Sequence, residues 1–570
     1  MVTWCNIDFK SSIFNPSNET QTLYFDGVEL TEVVIPSEVT TIRPYAFYGV
    51  AQLTDVTIHD SVTSIGDKAF MYCSNISNIT IGSGVESIGT SAFAYCSSLT
   101  EVALPEKLQH INSNLFERCD MLTSIDLGSN IISIGDEALY DCESLTEITI
   151  PASVTRIGYR AFSGTSLEGV YISDLAAWCQ IDFLAGSNPL SISKLLYLNG
   201  ELLIDAKIPD GVTEIKASAL RDCASLTSVT LPDSVTAIGE DAFMNCSELA
   251  TLDLGNGVVS IGTYAFSGCN SLTEITIPAS VNSIGDSAFG YTNYTLERVN
   301  IVDLAAWCSI DFGYSTSNPV KFTNTLYLNG SEVTEVTIPS NVTEIKPYVF
   351  YNMYSLTKID MHEGVTSIGA SAFAHCRNIT EITIPASIRA IGDSAFSDCS
   401  SLSRVNISDL SAWCRIDFDG ATTPTQHTGG LYLNGVEITE LTIPEDITEI
   451  KPYSFYCCTS LTSVKLHEGI TRVGVSAFDG CDGLTEITVP ASVTFLDYYA
   501  FNSKNLATAT ILSTTPCELG YMSVGGGIYE PRTYYGQFGN AMIYVPSESL
   551  YDYKSASGWY TMADSIYPIE

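Results

Sequence analysis

The sequence predicts an α/β solenoid, a stack of similar short coils. Three observations favour this fold class: an Ile-Gly pair recurs every 23 residues, an L-x-x-I-x-I pattern precedes it, and the composition supports a large core, with 45% hydrophobic and 16% charged residues. A chain of 570 residues would otherwise suggest about three to five globular domains. A fixed period of this length indicates a single array of stacked units.

Sixteen units carry the Ile-Gly mark or a close variant of it, in blocks of six, four, three and three. The marks begin at Ile42, Ile65, Ile88, Ile111, Ile134 and Ile157, at Ile215, Ile238, Ile261 and Ile284, at Ile345, Ile368 and Ile391, and at Ile450, Val473 and Leu496. We expect one continuous solenoid with irregular cassettes between its blocks. Its segments are a truncated cassette 1–40, block 41–170, cassette 171–213, block 214–299, cassette 300–343, block 344–405, cassette 406–448, block 449–512 and a C-terminal cap 513–570.

One unit illustrates the predicted local structure. Leu145, Ile148 and Ile150 alternate with β-branched threonine and indicate a short strand, which Pro151 ends. The apolar residues of 154–162 are irregularly spaced, as in a tight turn plus a short helix or 3₁₀ helix rather than a long amphipathic one. A unit of 23 residues buries too few side chains to offset its own ordering entropy, so the units must stack.

The pattern L-x-x-I-x-I-P-x-x-V-x-x-I-G-x-x-A-F-x-x-C resembles the 23-residue leucine-rich repeat of BspA-like surface proteins. The resemblance extends from Leu23 to the end of the chain. It implies a right-handed, curved leucine-rich repeat array with a parallel sheet on the concave side and short strands or 3₁₀ turns on the convex side. It also implies an extracellular or cell-surface location and adhesion to host or neighbouring-cell proteins.

The cysteines predict a buried ladder. Eleven of the 17 occupy one repeat slot, where other units carry residues such as Val50 or Met353. A small apolar side chain therefore suffices there, and no C-x-x-C spacing indicates a metal site. The ladder consists of Cys73, Cys96, Cys119, Cys142, Cys223, Cys246, Cys269, Cys376, Cys399, Cys458 and Cys481.

The cassettes repeat a second motif, Trp-Cys-x-Ile-Asp-Phe, followed by Leu-Tyr-Leu-Asn-Gly or Leu-Tyr-Phe-Asp-Gly. Asn-Gly or Asp-Gly between apolar runs indicates a hairpin with a type I′ turn. Three copies have an Asp able to cap the helix that carries the Trp. We interpret these tryptophans as core, with a sugar-stacking platform as the alternative. They are Trp4, Trp178, Trp307 and Trp413. The first copy lacks the preceding Asp-Leu, which suggests a fragment of a longer protein.

The charge balance excludes several partners. The chain has 65 Asp and Glu against 25 Lys and Arg, a net charge of -40. Such a surface repels nucleic acid and anionic lipid. The sequence contains neither an apolar run of spanning length nor an N-terminal pattern typical of a secretion signal.

Two surfaces are candidates for partner binding. The residues between the apolar positions of the strands face outward, and stacking aligns them in acidic, hydroxyl-rich ribbons. This strip suits an extended or polybasic partner, and it includes Glu101, Glu147, Glu274, Glu381 and Glu486. The second candidate is the tyrosine-rich loop of the cap, with Tyr521, Tyr529, Tyr534 and Tyr535.

Nothing in the sequence predicts an enzyme. His59, His362 and His467 share one slot after the strand and lack the second His of a zinc-protease helix. Almost every polar residue is one of many copies, whereas catalysis needs a unique constellation. We expect no catalytic residue, metal or cofactor.

The function that we predict is non-enzymatic protein binding, as an adhesion module of a bacterial cell-surface or secreted protein. Its partner would be a host or neighbouring-cell surface protein, and we expect a monomer. Two alternatives are a phage or intracellular scaffold protein, and a glycan binder that uses the cassette tryptophans and the cap tyrosines.

Overall fold

A computed structural model describes residues 1–291, 295–520 and 537–570. The chain forms two compact units, Met1–Ser280 with Gly285–Glu297, and Val281–Ile284 with Arg298–Glu570. Each unit is a parallel β-solenoid, which confirms the predicted fold class. In each repeat coil a strand of three or four residues, the main strand, is followed by a strand of two residues, the second strand.

In the first unit the L-x-x-I-x-I pattern forms the main strands, because its alternation buries one face. They are Glu32–Ile35, Asp55–Ile58, Asn78–Thr80, Glu101–Ala103, Ser124–Asp126, Glu147–Ile150, Gly169–Ile172, Leu196–Leu198, Asp205–Lys207, Ser228–Thr230, Thr251–Asp253 and Glu274–Ile277. The second strands end at or beside the Ile-Gly mark. They are Thr41–Ile42, Ser64–Ile65, Ser87–Ile88, His110–Ile111, Ser133–Ile134, Arg156–Ile157, Asp182–Phe183, Glu214–Ile215, Ala237–Ile238 and Ser260–Ile261.

The second unit repeats this order. Its main strands are Arg298–Ile301, Leu326–Leu328, Glu335–Thr337, Lys358–Asp360, Glu381–Ile384, Arg404–Ile407, Leu431–Leu433, Glu440–Thr442, Ser463–Lys465, Glu486–Val489, Thr508–Ile511, Met542–Val545 and Ile566–Pro568. Its second strands are Ser283–Ile284, Asp311–Phe312, Glu344–Ile345, Ser367–Ile368, Ala390–Ile391, Asp417–Phe418, Glu449–Ile450, Arg472–Val473, Phe495–Leu496 and Glu518–Leu519. Strands in successive repeat coils pair in parallel with a register of 23 residues, as Asp55 does with Asn78.

Each repeat coil turns through residues with positive φ placed four apart, such as Lys68 at 56° and Tyr72 at 67°. Residues other than glycine pay roughly 1–2 kcal/mol for this conformation. It aims their amides at the next coil, so Lys68 N–H donates to the Thr90 carbonyl at 2.9 Å and Tyr72 N–H to the Ala94 carbonyl at 3.0 Å. The amides between them donate to the carbonyl three residues earlier, as Ala69 does to Gly66 and Met71 does to Lys68. These single 3₁₀-type turns form this side of the coil.

The glycine of the Ile-Gly mark lies where neighbouring coils approach closely. A Cβ on Gly66 would lie 2.4 Å from the backbone nitrogen of Pro44, and one on Gly158 would lie 2.5 Å from that of Asp136. In these coils a Cβ would require a shift of the neighbouring backbone, although the same slot holds Asn112 and Asp497 in two other coils. In the first repeat coil of each block, which follows a cassette, the position after the Ile is occupied by Arg43, Lys216, Lys346 or Lys451 instead.

Eight of the nine α-helices of the described residues lie in the cassettes. Asp174 caps the helix Leu175–Cys179 by accepting a hydrogen bond from Ala177 N–H at 3.0 Å. The other cassette helices are Val2–Cys5, Ser17–Thr20, Leu190–Ser193, Leu304–Cys308, Val320–Thr323, Leu410–Cys414 and Thr425–Thr428, with a 3₁₀ helix Ser12–Phe14.

The predicted cassette hairpins are confirmed. Their strands pair antiparallel, Tyr24–Phe25 with Val28–Glu29, Leu196–Leu198 with Glu201–Leu202, Leu326–Leu328 with Ser331–Glu332, and Leu431–Leu433 with Val436–Glu437. Both central turn residues have positive φ, for example 50° at Asn434 and 81° at Gly435, as a type I′ turn requires.

Aromatic stacking runs through the core of each unit and ends in the cap. In the first unit the rings of Phe47 and Phe70 stack with centroids 5.0 Å apart, and later copies continue the row. In the second unit Phe538 stacks on Phe501 at 5.9 Å, and Trp559 covers Phe538 at 6.2 Å. The helix Leu550–Ser555 and the 3₁₀ helices Ser547–Ser549 and Trp559–Ser565 complete the predicted C-terminal cap.

Candidate binding surface

The five glutamates predicted for the strip are all exposed, and each is the first residue of a main strand. Glu101, Glu147 and Glu274 lie in the first unit, and Glu381 and Glu486 lie in the second. Each is exposed because the next residue, an Ile or Val, points into the core. In the described chain their register partners differ in type, so the strip is not a continuous row of carboxylates.

In the first unit the exposed sheet face also carries a tyrosine pair beside Glu147. Tyr171 and Tyr197 stack with ring centroids 4.7 Å apart and an interplanar angle of 16°, and Tyr171 Oη donates to Glu147 Oε1 at 3.2 Å. Partial desolvation, then the hydrogen bond to Glu147, raises the pKa of Tyr171. A Cβ at Gly169 would lie 3.0 Å from the Tyr171 ring, so glycine gives the ring its place.

In the second unit the main strand before each cassette begins with an arginine, which lies over the tyrosine of the cassette hairpin. The guanidinium of Arg298 lies 4.6 Å from the ring centroid of Tyr327, and that of Arg404 lies 4.8 Å from the ring centroid of Tyr432. Arg404 is also the register neighbour of Glu381 on the preceding main strand. Such cation–π pairs hold a flat aromatic surface and a charge in fixed geometry.

These sheet-face tyrosines are not among the predicted binding residues, although their signal is present in the sequence. The Leu-Tyr-Leu motif is expected only to form a hairpin arm. The alternation of the motif places both leucines toward the core and the tyrosine on the exposed sheet face. Tyrosine and arginine are the residue types that most often anchor protein interfaces, so the strip is richer in anchors than its glutamates alone indicate.

A second tyrosine row lies on the turn side of the first unit. Tyr72 lies between Tyr48 and Tyr95, with ring centroids 5.6 Å and 4.6 Å away. Burial and a hydrogen bond to Glu117 raise the pKa of Tyr95 to about 12. The row spans only three coils, whereas tyrosines of the sheet face recur at the cassettes of both units.

The ladder cysteines are buried and free in the structure. Their thiols mostly donate to a carbonyl 26 residues earlier, as Cys73 does to Phe47 at 3.0 Å and Cys142 to Phe116 at 3.1 Å. Desolvation raises the pKa of Cys96 to about 12. The slot therefore uses the weak S–H donor as well as the small apolar volume, and a protonated, inaccessible thiol is a poor nucleophile.

The cassette indoles are enclosed. Trp178, Trp307 and Trp413 are each 1% exposed, and Trp4 is half-buried. Each indole N–H donates to a backbone carbonyl about 41 or 42 residues later, such as that of Ala219 at 2.8 Å for Trp178. A sugar ring cannot stack on the three enclosed indoles in this fold.

The repeated histidines complete backbone turns. Nδ1 of His362 accepts from Gly364 N–H at 2.9 Å, and Nε2 lies 3.0 Å from the Pro339 carbonyl, so backbone groups contact both ring nitrogens. His467 makes the corresponding contacts with Gly469 and Pro444. His59 likewise accepts at Nδ1 from Ser61 N–H, at 3.1 Å, and its Nδ1 also lies 3.0 Å from Ser61 Oγ.

The cap tyrosines Tyr521, Tyr529, Tyr534 and Tyr535 lie outside the described residues. Among the residues that are described, no cluster of three or more His, Cys, Asp or Glu is arranged to hold a metal ion. None of the described helices has the length and apolar character needed to cross a membrane.

These features define a class, the β-solenoid repeat proteins that expose one face of a parallel sheet. A profile of the BspA type leucine-rich repeat region matches residues 18–128, 63–182, 191–310, 321–413 and 429–517. Because these matches cover most of the chain, the protein belongs to the BspA type leucine-rich repeat family.

The chain is also similar to solved bacterial structures. One is a leucine-rich cell surface protein from Faecalibacterium prausnitzii, at 26% identity over 69% of this chain and 83% of that chain, with a TM-score of 0.29. Another is a leucine-rich repeat protein from Bacteroides ovatus, at 22% identity over 81% and 87% of the two chains, with a TM-score of 0.31. No curated protein matches the chain.

Proposed function

We propose that the protein is a non-enzymatic protein-binding module that acts in adhesion, as part of a bacterial cell-surface or secreted protein. The observation that carries the proposal is the set of aromatic and charged anchors on the exposed sheet face. They recur at cassette positions in both units, beside the glutamates of the strip. Membership of a repeat family that resembles surface adhesins supports the location and the role.

The anchors suit a protein partner. Rigid tyrosine rings offer apolar area at low entropic cost, and neighbouring carboxylates offer sites for lysine or arginine. The net charge of -40 favours a partner with a basic surface and speeds its approach at low ionic strength. Binding spread over several cassettes would gain strength through avidity.

A capture experiment tests this function. The full chain is immobilised and exposed to extracellular-matrix proteins and to surface extracts of bacteria, and bound proteins are identified by mass spectrometry. The variant Y171A/Y197A/Y327A/Y432A should reduce capture of a specific partner at least tenfold. The control Y159A changes a tyrosine that is 47% exposed on a turn and should leave capture unchanged.

Two results would contradict the proposal. One is a chain that captures no protein above the level of an unrelated acidic protein, and the other is capture that is equal in the two variants. Fractionation of the source cells tests the location separately. A chain found only inside the cell would favour the intracellular scaffold instead of an adhesin.

A further inference from the structure

Each cassette interrupts the ladder of main strands. In the last cassette Leu431–Leu433 pairs antiparallel with Val436–Glu437, and the next main strand, Glu440–Thr442, pairs with Ser463–Lys465. Within the described chain Glu440–Thr442 has no strand partner on its other side. The hairpin therefore leaves an open strand edge inside the solenoid rather than at its end.

The backbone groups of the open edge can be assigned. In a parallel ladder successive residues direct their N–H and C=O groups to opposite neighbours. The carbonyl of Thr439 accepts from Ser463 N–H, and Ile443 N–H donates to the Lys465 carbonyl, so Leu441 faces the same strand. The N–H and C=O groups of Glu440 and Thr442 consequently face the gap.

A groove lies against this edge. It has a volume of about 400 Å³ and is lined by residues 410, 433 and 436–442. Its lining includes Val436, which is 71% exposed, and the buried Leu441. Exposed Glu437 and Glu440 bring negative charge to the opening. Apolar lining residues, an acidic rim and free backbone groups are the three elements of a slot for an added strand.

The same edge occurs at every cassette of the described chain. In each case the hairpin is followed by a main strand that begins with an acidic residue and is paired only with the following coil. These strands are Glu32–Ile35 and Asp205–Lys207 in the first unit, and Glu335–Thr337 and Glu440–Thr442 in the second.

The paired sides of the main strands show which residues can lie opposite an acidic first residue. Glu335 has Lys358 as its register partner, and Glu381 has Arg404. The following positions in both pairs are apolar, as in Ile382 beside Val405. Opposite charges and paired β-branched residues on adjacent strands are the cross-strand neighbours that stabilise a sheet.

We propose that the groove of the last cassette binds an extended polypeptide segment of the partner by strand addition to its open edge, and that the equivalent open edges of the other cassettes bind in the same way. A Lys or Arg of that segment lies opposite the acidic residue, and an apolar residue lies opposite the buried one. This inference rests on the proposed protein-binding function and specifies its site. Main-chain hydrogen bonds supply affinity, and the acidic rim selects a basic segment.

Hydrogen–deuterium exchange of the full chain tests the groove. The probe is a peptide of sequence Gly-Arg-Val-Asn-Ile-Gly, which copies the strand Arg404–Ile407 with glycine ends. At saturation the amides of Glu440 and Thr442, and those of the equivalent strands, should exchange at least tenfold more slowly. The control peptide Gly-Arg-Pro-Asn-Pro-Gly has the same charge but lacks two amide donors, and it should give no protection.

Single variants use the open edges of the other cassettes as internal controls. E440K should abolish the protection at 436–442 and leave that at the equivalent edges of the other cassettes unchanged. T442P removes one edge amide while keeping the pairing with Ser463–Lys465, and it should weaken the same groove alone. E486K, a matched charge reversal on a main strand paired on both sides, should have no effect.

The results separate this inference from the proposed function. Peptide binding without protection at the four edges, or protection that survives E440K and T442P, would overturn strand addition even if the full chain still captures a protein partner. Absence of any peptide binding would overturn it as well. Protection of the edges in a chain that captures no natural protein would instead count against the proposed function.

Discussion

The buried thiols should make the fold less stable at alkaline pH. A thiol carries charge only when deprotonated, and burial raises the pKa of the ladder thiols above their ordinary value of 9.0, to about 12 for Cys96, Cys142 and Cys269. Below pH 9 both states keep the proton and the full stability is present. Between pH 9 and about 12 only the unfolded thiols ionise, so stability falls as pH rises.

We therefore expect the free energy of unfolding, obtained from urea titrations, to fall above pH 9 by roughly 1.4 kcal/mol per pH unit for each buried thiol. The variant C73V/C96V/C119V/C142V, which places valine where Val50 already occupies the slot, should show a shallower decline. Equal pH slopes for the two proteins, measured by circular dichroism between pH 7 and 11, would exclude the thiols as the cause.

The cassette core depends on one asparagine that bridges two carbonyls. Nδ2 of Asn318 donates to the Tyr348 carbonyl at 2.7 Å and to the Val349 carbonyl at 3.0 Å, and the latter also accepts from Trp307. N318A leaves a buried carbonyl without its donor, so we expect a loss of about 1–3 kcal/mol in unfolding free energy. Calorimetry checks this, and N378A, at an exposed asparagine, should cost much less.

At the scale of residues, the sequence predicts the buried slots because many copies sample each position. The exchange of cysteine with valine or methionine is enough to indicate a small apolar site. The thiol hydrogen bond could not be predicted, since the carbonyl that Cys73 reaches belongs to another coil, at an offset set by the stacking.

At the scale of elements, the hairpin turn fixes the geometry of the proposed groove. Gly435 has φ of 81°, where an L side chain is strained. G435A should destabilise the hairpin Leu431–Glu437 locally by about 1 kcal/mol.

Exchange of the Ile438 amide, which donates to the Leu431 carbonyl at 2.9 Å, should become about fivefold faster in G435A. The melting temperature should change little, because the main strands around the hairpin retain their pairing. An unchanged exchange rate at Ile438 would show that the turn does not control the hairpin. G313A is the comparison, since Gly313 lies outside the positive-φ region and has open space around its Cα.

The Asn-Gly pairs predict the hairpins, but they do not predict how the next main strand pairs. Tyr432 and Glu437 are register partners across one hairpin, and neither shows that the next main strand lacks a neighbour on one side. That fact depends on how the short return strand leaves the sheet, which is a property of three successive strands and not of any one pattern.

At the scale of the whole molecule, we expect the fold to tolerate deletions of one complete 23-residue period. Deleting residues 75–97 of the first unit removes one complete coil of 23 residues and joins equivalent positions. We expect a folded protein with a melting temperature within a few degrees of the original, because each coil contacts mainly its neighbours. The smaller deletion of residues 75–86 removes the main strand Asn78–Thr80 and leaves half a coil.

The half-coil deletion should therefore lower the melting temperature far more than the larger one, by about 10 °C or more. Thermal unfolding followed by circular dichroism makes the comparison. Similar melting temperatures for the two deletions would contradict a fold organised by the 23-residue period.

The cassettes also help to fix the register in which the near-identical coils stack. A coil of one block could dock against the wrong copy with little penalty, since the faces that meet are almost the same. The indole N–H of Trp178, which lies in the cassette, donates to the carbonyl of Ala219 in the first coil after that cassette. Such a contact penalises a slipped chain, and it allows a long monotonous sequence to settle into one alignment.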